Sequence, residues 1–490
     1  MNIKKMVARP SVTLTCLFLA SCVSGADIPG ASTPITNQEA SQGAQLHPDL
    51  LKEFGGAMTG PQANYVRGVG QKIAVQSGLA HAQDDFTITL LNSPVNNAFA
   101  IPGGYVYTTR QLVSLMNNEA ELAAVLGHEV GHVAARHSQR RQAAAQRNSV
   151  FGALGAVLSG VLLGDSALGS TLSDGILQGS QMLTLKFSRK QETQADDLGI
   201  QYLQKAGYDP HAMATVLQSL ALQNALDAQL QGRTDGRIPE WASTHPDPAS
   251  RVREANAKAG TAGGVLNRDR FITSINGLMY GDDPAQGVVE GSRFIHPQLG
   301  FAFTAPQGFT IANGASAVSI NGQSAKALLA AGAYSGNIET YVRNAFAQLG
   351  DSQTRLTPDS LRRTTINGLP AAIGSSRINT GSGQVDLTVI GYQFAPDKAF
   401  HFAALTQPGR SSVFSAMFSS MQRVSASDAA KIVPRRIEII TVKPGDTVSR
   451  LSGQMAYADA REARFRVLNG MSSGDSLRAG DKVKIVVRAR

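Results

Sequence analysis

Two histidines one helical turn apart are the first residues in this chain that could do chemistry. The run His128-Glu129-Val130-Gly131-His132 sets imidazoles at i and i+4. On a helix those positions share a face, so both rings can bind one metal ion. Glu129 is offset from the pair but stays close to any water held there, where a carboxylate can take the water's proton. Zinc used for hydrolysis takes three protein ligands and keeps one position open. The best candidate for the third ligand is Glu192, in Ser188-Arg-Lys-Gln-Glu192-Thr-Gln-Ala-Asp196. Glu192 and Asp196 are themselves i, i+4, and two like charges at that spacing repel by a few tenths of a kcal/mol. A nearby cation removes that penalty. Glu192 then serves as the ligand, and Asp196 accepts from the outer ring nitrogen of a ligand histidine. The competing reading is a solvated acid pair matched by Arg189 and Lys190, beside two surface histidines. It requires unpaired imidazoles in an otherwise apolar helix, which is costly. One Zn2+ per chain is the expected cofactor.

Both motifs need helices to hold them. Asn118 followed by Glu121 has the pattern of a helix start, and no proline interrupts the segment until well past residue 147. A second helix must carry Glu192 and Asp196. The only cysteines are Cys16 and Cys22, which excludes a disulfide framework and a Cys-ligated zinc site beyond residue 22.

HEVGH, followed 60 residues after its last histidine by Glu-xxx-Asp, resembles the HtpX/BepA/CAAX-prenyl-protease-like family of HExxH gluzincin metallopeptidases. Three flanking stretches add to the likeness. Asn97-Ala98-Phe99-Ala100, running on to Arg110, resembles the family's strand and turn before the zinc helix, an edge that could pair with a substrate strand. Ser188-Arg189 resembles its lead-in to the acidic ligand. Ser243-Thr-His245-Pro-Asp-Pro-Ala-Ser-Arg251 resembles its His-Pro…Arg segment. The resemblance implies that His245 either caps the zinc at rest or stabilises the oxyanion, with Arg251 nearby. It also implies a zinc endopeptidase acting on misfolded or stalled envelope proteins. His137 reads as structural, and His47, His81, His211, His296 and His401 as ordinary. The apolar run 151–163 is too short to span a bilayer and reads as a lid, an interfacial segment or a buried helix. The tetratricopeptide array of BepA has no counterpart, so its partner contacts do not transfer.

The rest of the chain frames this centre. At 490 residues and 42% apolar it has material for several packed domains, and it is too apolar to be mostly disordered. The expected class is multidomain α+β: a mainly helical zincin-type domain (46–260), an α+β domain (261–430) and a small βααβ unit (431–490). Residues 1–21 read as a signal peptide, with Lys4, Lys5 and Arg9 before a short apolar run. Leu19-Ala-Ser-Cys22 resembles a bacterial lipobox, which implies acylation of Cys22 and a lipid anchor. Val23 in place of an Asp favours the outer membrane, facing the periplasm. Residues 22–45 read as a flexible tether.

Residues 294–309 resemble the opening of PsbP-like α+β domains. Residues 438–488, with Val-Lys443-Pro-Gly-Asp-Thr447, a helix start at Asp459-Ala-Arg-Glu462 with a capping box, and Asn469-Gly470, resemble a LysM domain. That family binds N-acetylglucosamine glycans, so peptidoglycan is an expected partner beside protein substrates and the membrane. The formal charge is +9, and residues 431–490 hold 13 Lys/Arg against 6 Asp/Glu. In an exported chain such a module meets anionic envelope polymers or head groups, not nucleic acid. The alternative function is a periplasmic chaperone or assembly factor with a capped or structural metal site. A peptidoglycan hydrolase is a third option.

Overall fold

The computed structural model describes residues 33–79, 85–141, 187–230, 245, 248–314, 317–350, 355–380 and 383–489. Cys22 and the run 151–163 lie outside them. Among the described residues no helix is long and apolar enough to cross a membrane.

The first body is helical around a small sheet. Its elements are α1 (Asn37–Glu53), α2 (Pro61–Ala74), β1 (Thr87–Leu91), β2 (Ala98–Ile101), β3 (Tyr105–Thr109), α3 (Arg110–Leu115), α4 (Glu119–Ala134), α5 (Arg189–Lys205), α6 (Ala212–Leu230), α7 (Pro248–Ala259), α8 (Arg268–Ser274) and β4 (Met279–Tyr280). The strand order β1-β3-β2 makes β2 an edge. Every residue of α4 except Val133 is buried. It is the central rod, with α2, α5 and α6 packed around it.

The middle body is layered. Its strands are β5 (Val288–Glu290), β6 (Arg293–His296), β7 (Phe301–Thr304), β8 (Thr310–Asn313), β9 (Val318–Asn321) and β10 (Ala325–Ala331); then, after α9 (Ile338–Gln348), β11 (Ser360–Ile366), β12 (Leu369–Thr380), β13 (Gly383–Ala395) and β14 (Lys398–Thr406). The short α10 (Ser415–Ser420), β15 (Gln422–Arg423) and α11 (Ala426–Ala430) close it. A seven-stranded sheet, β11-β12-β13-β14-β10-β9-β8, is covered on one face by the four-stranded sheet β15-β7-β6-β5 and on the other by α9. Both faces of β13 are therefore apolar, and its alternation is lost in the run Leu387–Tyr392.

The last body is β16 (Arg435–Thr441), α12 (Val448–Ser452), α13 (Arg461–Leu468) and β17 (Lys482–Arg488). Thr447 caps α12 by accepting from the Arg450 amide.

Four expectations are corrected. Residues 37–45 are not tether: Thr36 and Glu39 form a capping box that starts α1. Ser, Gln and Ala hid that helix among residues common in linkers. The boundary at 260 cuts through the first body, because Phe271, Ile272, Ile275 and Leu278 belong to its core. The boundary at 431 does not separate two cores, since Ile437, Leu451, Phe465, Val483 and Ile485 join that same core. The capping box at Asp459 does not form. The cap of α13 is Ala460 in the left-handed region, with no side-chain cap.

Candidate metal centre

The sequence holds α4 by its first turn. The Asn118 side chain accepts from the Glu121 amide, and the Leu266 carbonyl accepts from the Glu119 and Ala120 amides. These contacts satisfy amides that a helix start leaves without partners. The Glu119 carboxylate accepts from Tyr65, Tyr208 and Asn267. Helix α5 then crosses α4 at small residues. A Cβ on Gly131 would lie 3.0 Å from the Ala195 carbonyl, and one on Gly199 would lie 3.1 Å from the His128 amide. This near-contact of backbones brings the acids of α5 within reach of the imidazoles of α4.

His128, His132, Glu192 and His245 converge, with one ligand-type atom from each lying within 4.8 Å of the others. The His128 and His132 Nε2 atoms are 3.0 Å apart, and His245 Nδ1 is 3.3 Å from His128 Nε2. Glu192 places its oxygens 3.5 Å from each of the first two rings and 3.1 Å from His245 Nδ1. All four residues are buried. Glu129 lies beside them, and among the described residues neither of its buried carboxylate oxygens has a hydrogen-bond partner. His245 Nε2 lies 3.6 Å from its Oε1. Three imidazole nitrogens and a carboxylate aimed at one point, with a second carboxylate unengaged at its side, are a donor set that fits Zn2+.

A second layer orients this set. Asp196 Oδ1 lies 2.9 Å from His128 Nδ1. Arg251 donates to both oxygens of Asp196, at 2.8 and 2.6 Å, and to Glu192 at 2.7 Å. His137 Nδ1 lies 2.9 Å from His132 Nδ1, and its other nitrogen 3.2 Å from Gln194 Oε1. Phe187 stacks on His132 at 4.1 Å, and the Arg141 guanidinium lies over the Phe187 ring at 4.6 Å.

Burial sets the electrostatics. It raises the proton affinity of Glu129, and the neighbouring His245 and His128 only partly offset this. It pushes His132 well below the usual histidine range. Burial opposes ionisation of Glu192 too, yet His245 and the other two rings outweigh it and hold that carboxylate low. For Asp196 the Arg251 guanidinium overcomes burial and brings the group down to about 2.

The structure thus brings together His128, Glu129, His132, Glu192, Asp196, His245 and Arg251. Asn97 lies at the start of β2, and Ala98, Phe99 and Ala100 within it, packed against α4. The Thr109 amide donates to the Asn97 carbonyl. By the antiparallel alternation, the peptide groups of Ala98 and Ala100 face away from β3. Sequence reasoning missed two contacts. Phe187 was legible only as an aromatic next to Ser188-Arg189. His137, read as structural, is the outer partner of His132.

Residues 61–259 match peptidase family M48, and residues 440–486 match the LysM domain. The chain is 35% identical over 198 residues to the beta-barrel assembly-enhancing protease of Escherichia coli, covering 40% of this chain and 38% of that protein. It is 30% identical over 219 residues to the mitochondrial metalloendopeptidase OMA1 of Schizosaccharomyces pombe, covering 44% of this chain and 59% of that one. The human metalloendopeptidase OMA1 is 26% identical over 173 residues, with 35% and 32% covered. The chain therefore spans less than two thirds of the length of these relatives.

Proposed function

We propose that this chain, which carries a peptidase family M48 domain and a LysM domain, is a zinc-dependent endopeptidase of the bacterial envelope. The observation that carries this reading is the buried His128, His132, Glu192 and His245 cluster with the unengaged Glu129 carboxylate beside it. A zinc ion held by His128, His132 and Glu192 would polarise the scissile carbonyl and acidify a water. Glu129 removes the proton of the attacking water and passes it to the leaving amine. Asp196 fixes the tautomer of His128, and Arg251 holds Asp196 and Glu192 in register. The outward peptide groups of Ala98 and Ala100 align an extended substrate beside α4.

His245, whose Nδ1 lies 3.3 Å from His128 Nε2, would cap the ion at rest and would move aside for substrate. Acylation of Cys22 anchors the chain in the outer membrane facing the periplasm, and misfolded or stalled envelope proteins are its substrates. The LysM domain takes peptidoglycan. The second reading, an assembly factor whose metal site stays capped, draws on the same position of His245. Casein cleavage by wild type and by His245→Ala separates the two. Activity in either form supports the peptidase, and zinc without activity in both supports the assembly factor.

A further inference from the structure

The C-terminal LysM domain is built into the peptidase body. Its strand β17 has four consecutive buried residues, Val483 to Val486. A strand with one wet face would alternate, so both faces of this one are covered. Val483 and Ile485 join the core that contains α4. On the other side of the strand, Lys484 is fully buried and its ammonium donates to three backbone carbonyls: Ser114 at 2.8 Å, Leu115 at 3.3 Å and Met116 at 2.6 Å. These are the last residues of α3 and its C-cap. A lysine there supplies donors to carbonyls that a helix end leaves unpaired.

The next residues lead straight into the metal-bearing helix. The Asn117 amide donates to Glu121 at 2.7 Å, Asn118 caps α4, and the charge of Glu121 acts on Lys484. The LysM loop holds its own lysine in place. The side chain of Asn469 pairs with the Lys484 amide and carbonyl, at 2.8 and 2.9 Å. Gly470, at φ +62°, sits where a Cβ would lie 2.9 Å from the Asn117 side chain. Asn469-Gly470 therefore does more than close a turn.

We infer that the LysM domain braces the metal-bearing helix, with Lys484 as the positioning residue that fixes the 114–116 connector and hence the start of α4. The inference rests on the zinc endopeptidase reading of that helix. It implies that the two domains act as one rigid part, and that losing the lysine loosens His128 and His132, twelve or more residues along the chain, without touching the substrate.

The test uses the full chain in three forms: wild type, Lys484→Met and Arg268→Met. Arg268 donates to the Lys482 carbonyl across the same interface, and it reaches Lys484 only through its charge. Casein kinetics, zinc affinity and amide exchange are compared. Lys484→Met is expected to lower kcat about tenfold with KM unchanged, to weaken zinc and to speed exchange at residues 117–122. Arg268→Met is expected to lower Tm and leave the rest near wild type. Equal effects of the two variants on kcat and zinc, or a fall in Tm alone for Lys484→Met, overturn the inference. If Lys484→Met does not fold, Lys484→Gln, whose neutral amide keeps two of the three N–H donors on a shorter side chain, takes its place under the same criteria. A wild type that neither binds zinc nor cleaves casein overturns the endopeptidase reading, while the exchange comparison still decides the brace.

Discussion

At the scale of single residues, the account turns on one carboxylate. Glu129 is buried and, among the described residues, makes no hydrogen bond, so Glu129→Gln should lower casein cleavage by about 10²–10⁴-fold while zinc content, read by mass spectrometry, stays at the wild-type level. His245→Ala should keep zinc, since two histidines and Glu192 remain, and should raise basal cleavage because a resting cap is gone. A fall in activity would instead favour a role for His245 in stabilising charge. That His128 and His132 share one helix face was legible because the helix period is rigid: i, i+4 spacing leaves little freedom in where two imidazoles point. Phe187 and His137 were not, because ring stacking and an imidazole–imidazole contact depend on tertiary approach. No local spacing announces either.

At the scale of elements, the geometry depends on how closely α4 and α5 can pass. Gly131 meets the Ala195 carbonyl and Cα at 3.0 and 3.2 Å from a built Cβ. Gly131→Leu should push α5 outward, at a cost of about 1–3 kcal/mol, and should weaken zinc binding at least tenfold in a competition with a chromogenic chelator. Unchanged zinc affinity would show that the crossing does not set the site. The helix start at Asn118 was marked in the sequence by its capping residue and has its cap; the caps at Ser188 and Thr447 were not read there. Helix α1 was hidden because its polar face lowers its contrast with a linker. The start of α13 misled because Asp459 and Glu462 carry the letters of a capping box, while the chain at Ala460 takes a left-handed turn.

At the scale of the whole molecule, the middle body has its own core, and that core carries a pH dependence. The middle body buries His401, which burial pushes down to about 4, with its Nδ1 2.9 Å from the Tyr341 hydroxyl. A histidine whose folded value is depressed contributes stability above its unfolded value, and that stability is lost as pH falls through the interval. The window is therefore from the ordinary 6.5 down to about 4, and the span corresponds to on the order of 3 kcal/mol. His296, pushed down to about 4 by burial and then by Lys398, acts in the same direction. Thermal unfolding followed at pH 7.5, 6 and 4.5 should show the middle body losing stability across that window, and His401→Gln should flatten the slope. The merging of the first and last units into one core was not readable from shifts in composition. It arises from apolar faces on β17 and α13 that look, in isolation, like the core of a small independent domain.

The central claim is that two imidazoles of α4 and one carboxylate of α5 hold a single zinc ion. Native mass spectrometry of the purified chain, beside Glu192→Ala, tests it most directly. The account predicts one zinc per wild-type chain and a large loss of zinc in the variant, with both folded by circular dichroism. Wild type free of zinc after purification in its presence, or a variant that retains zinc at full stoichiometry and affinity, would contradict it.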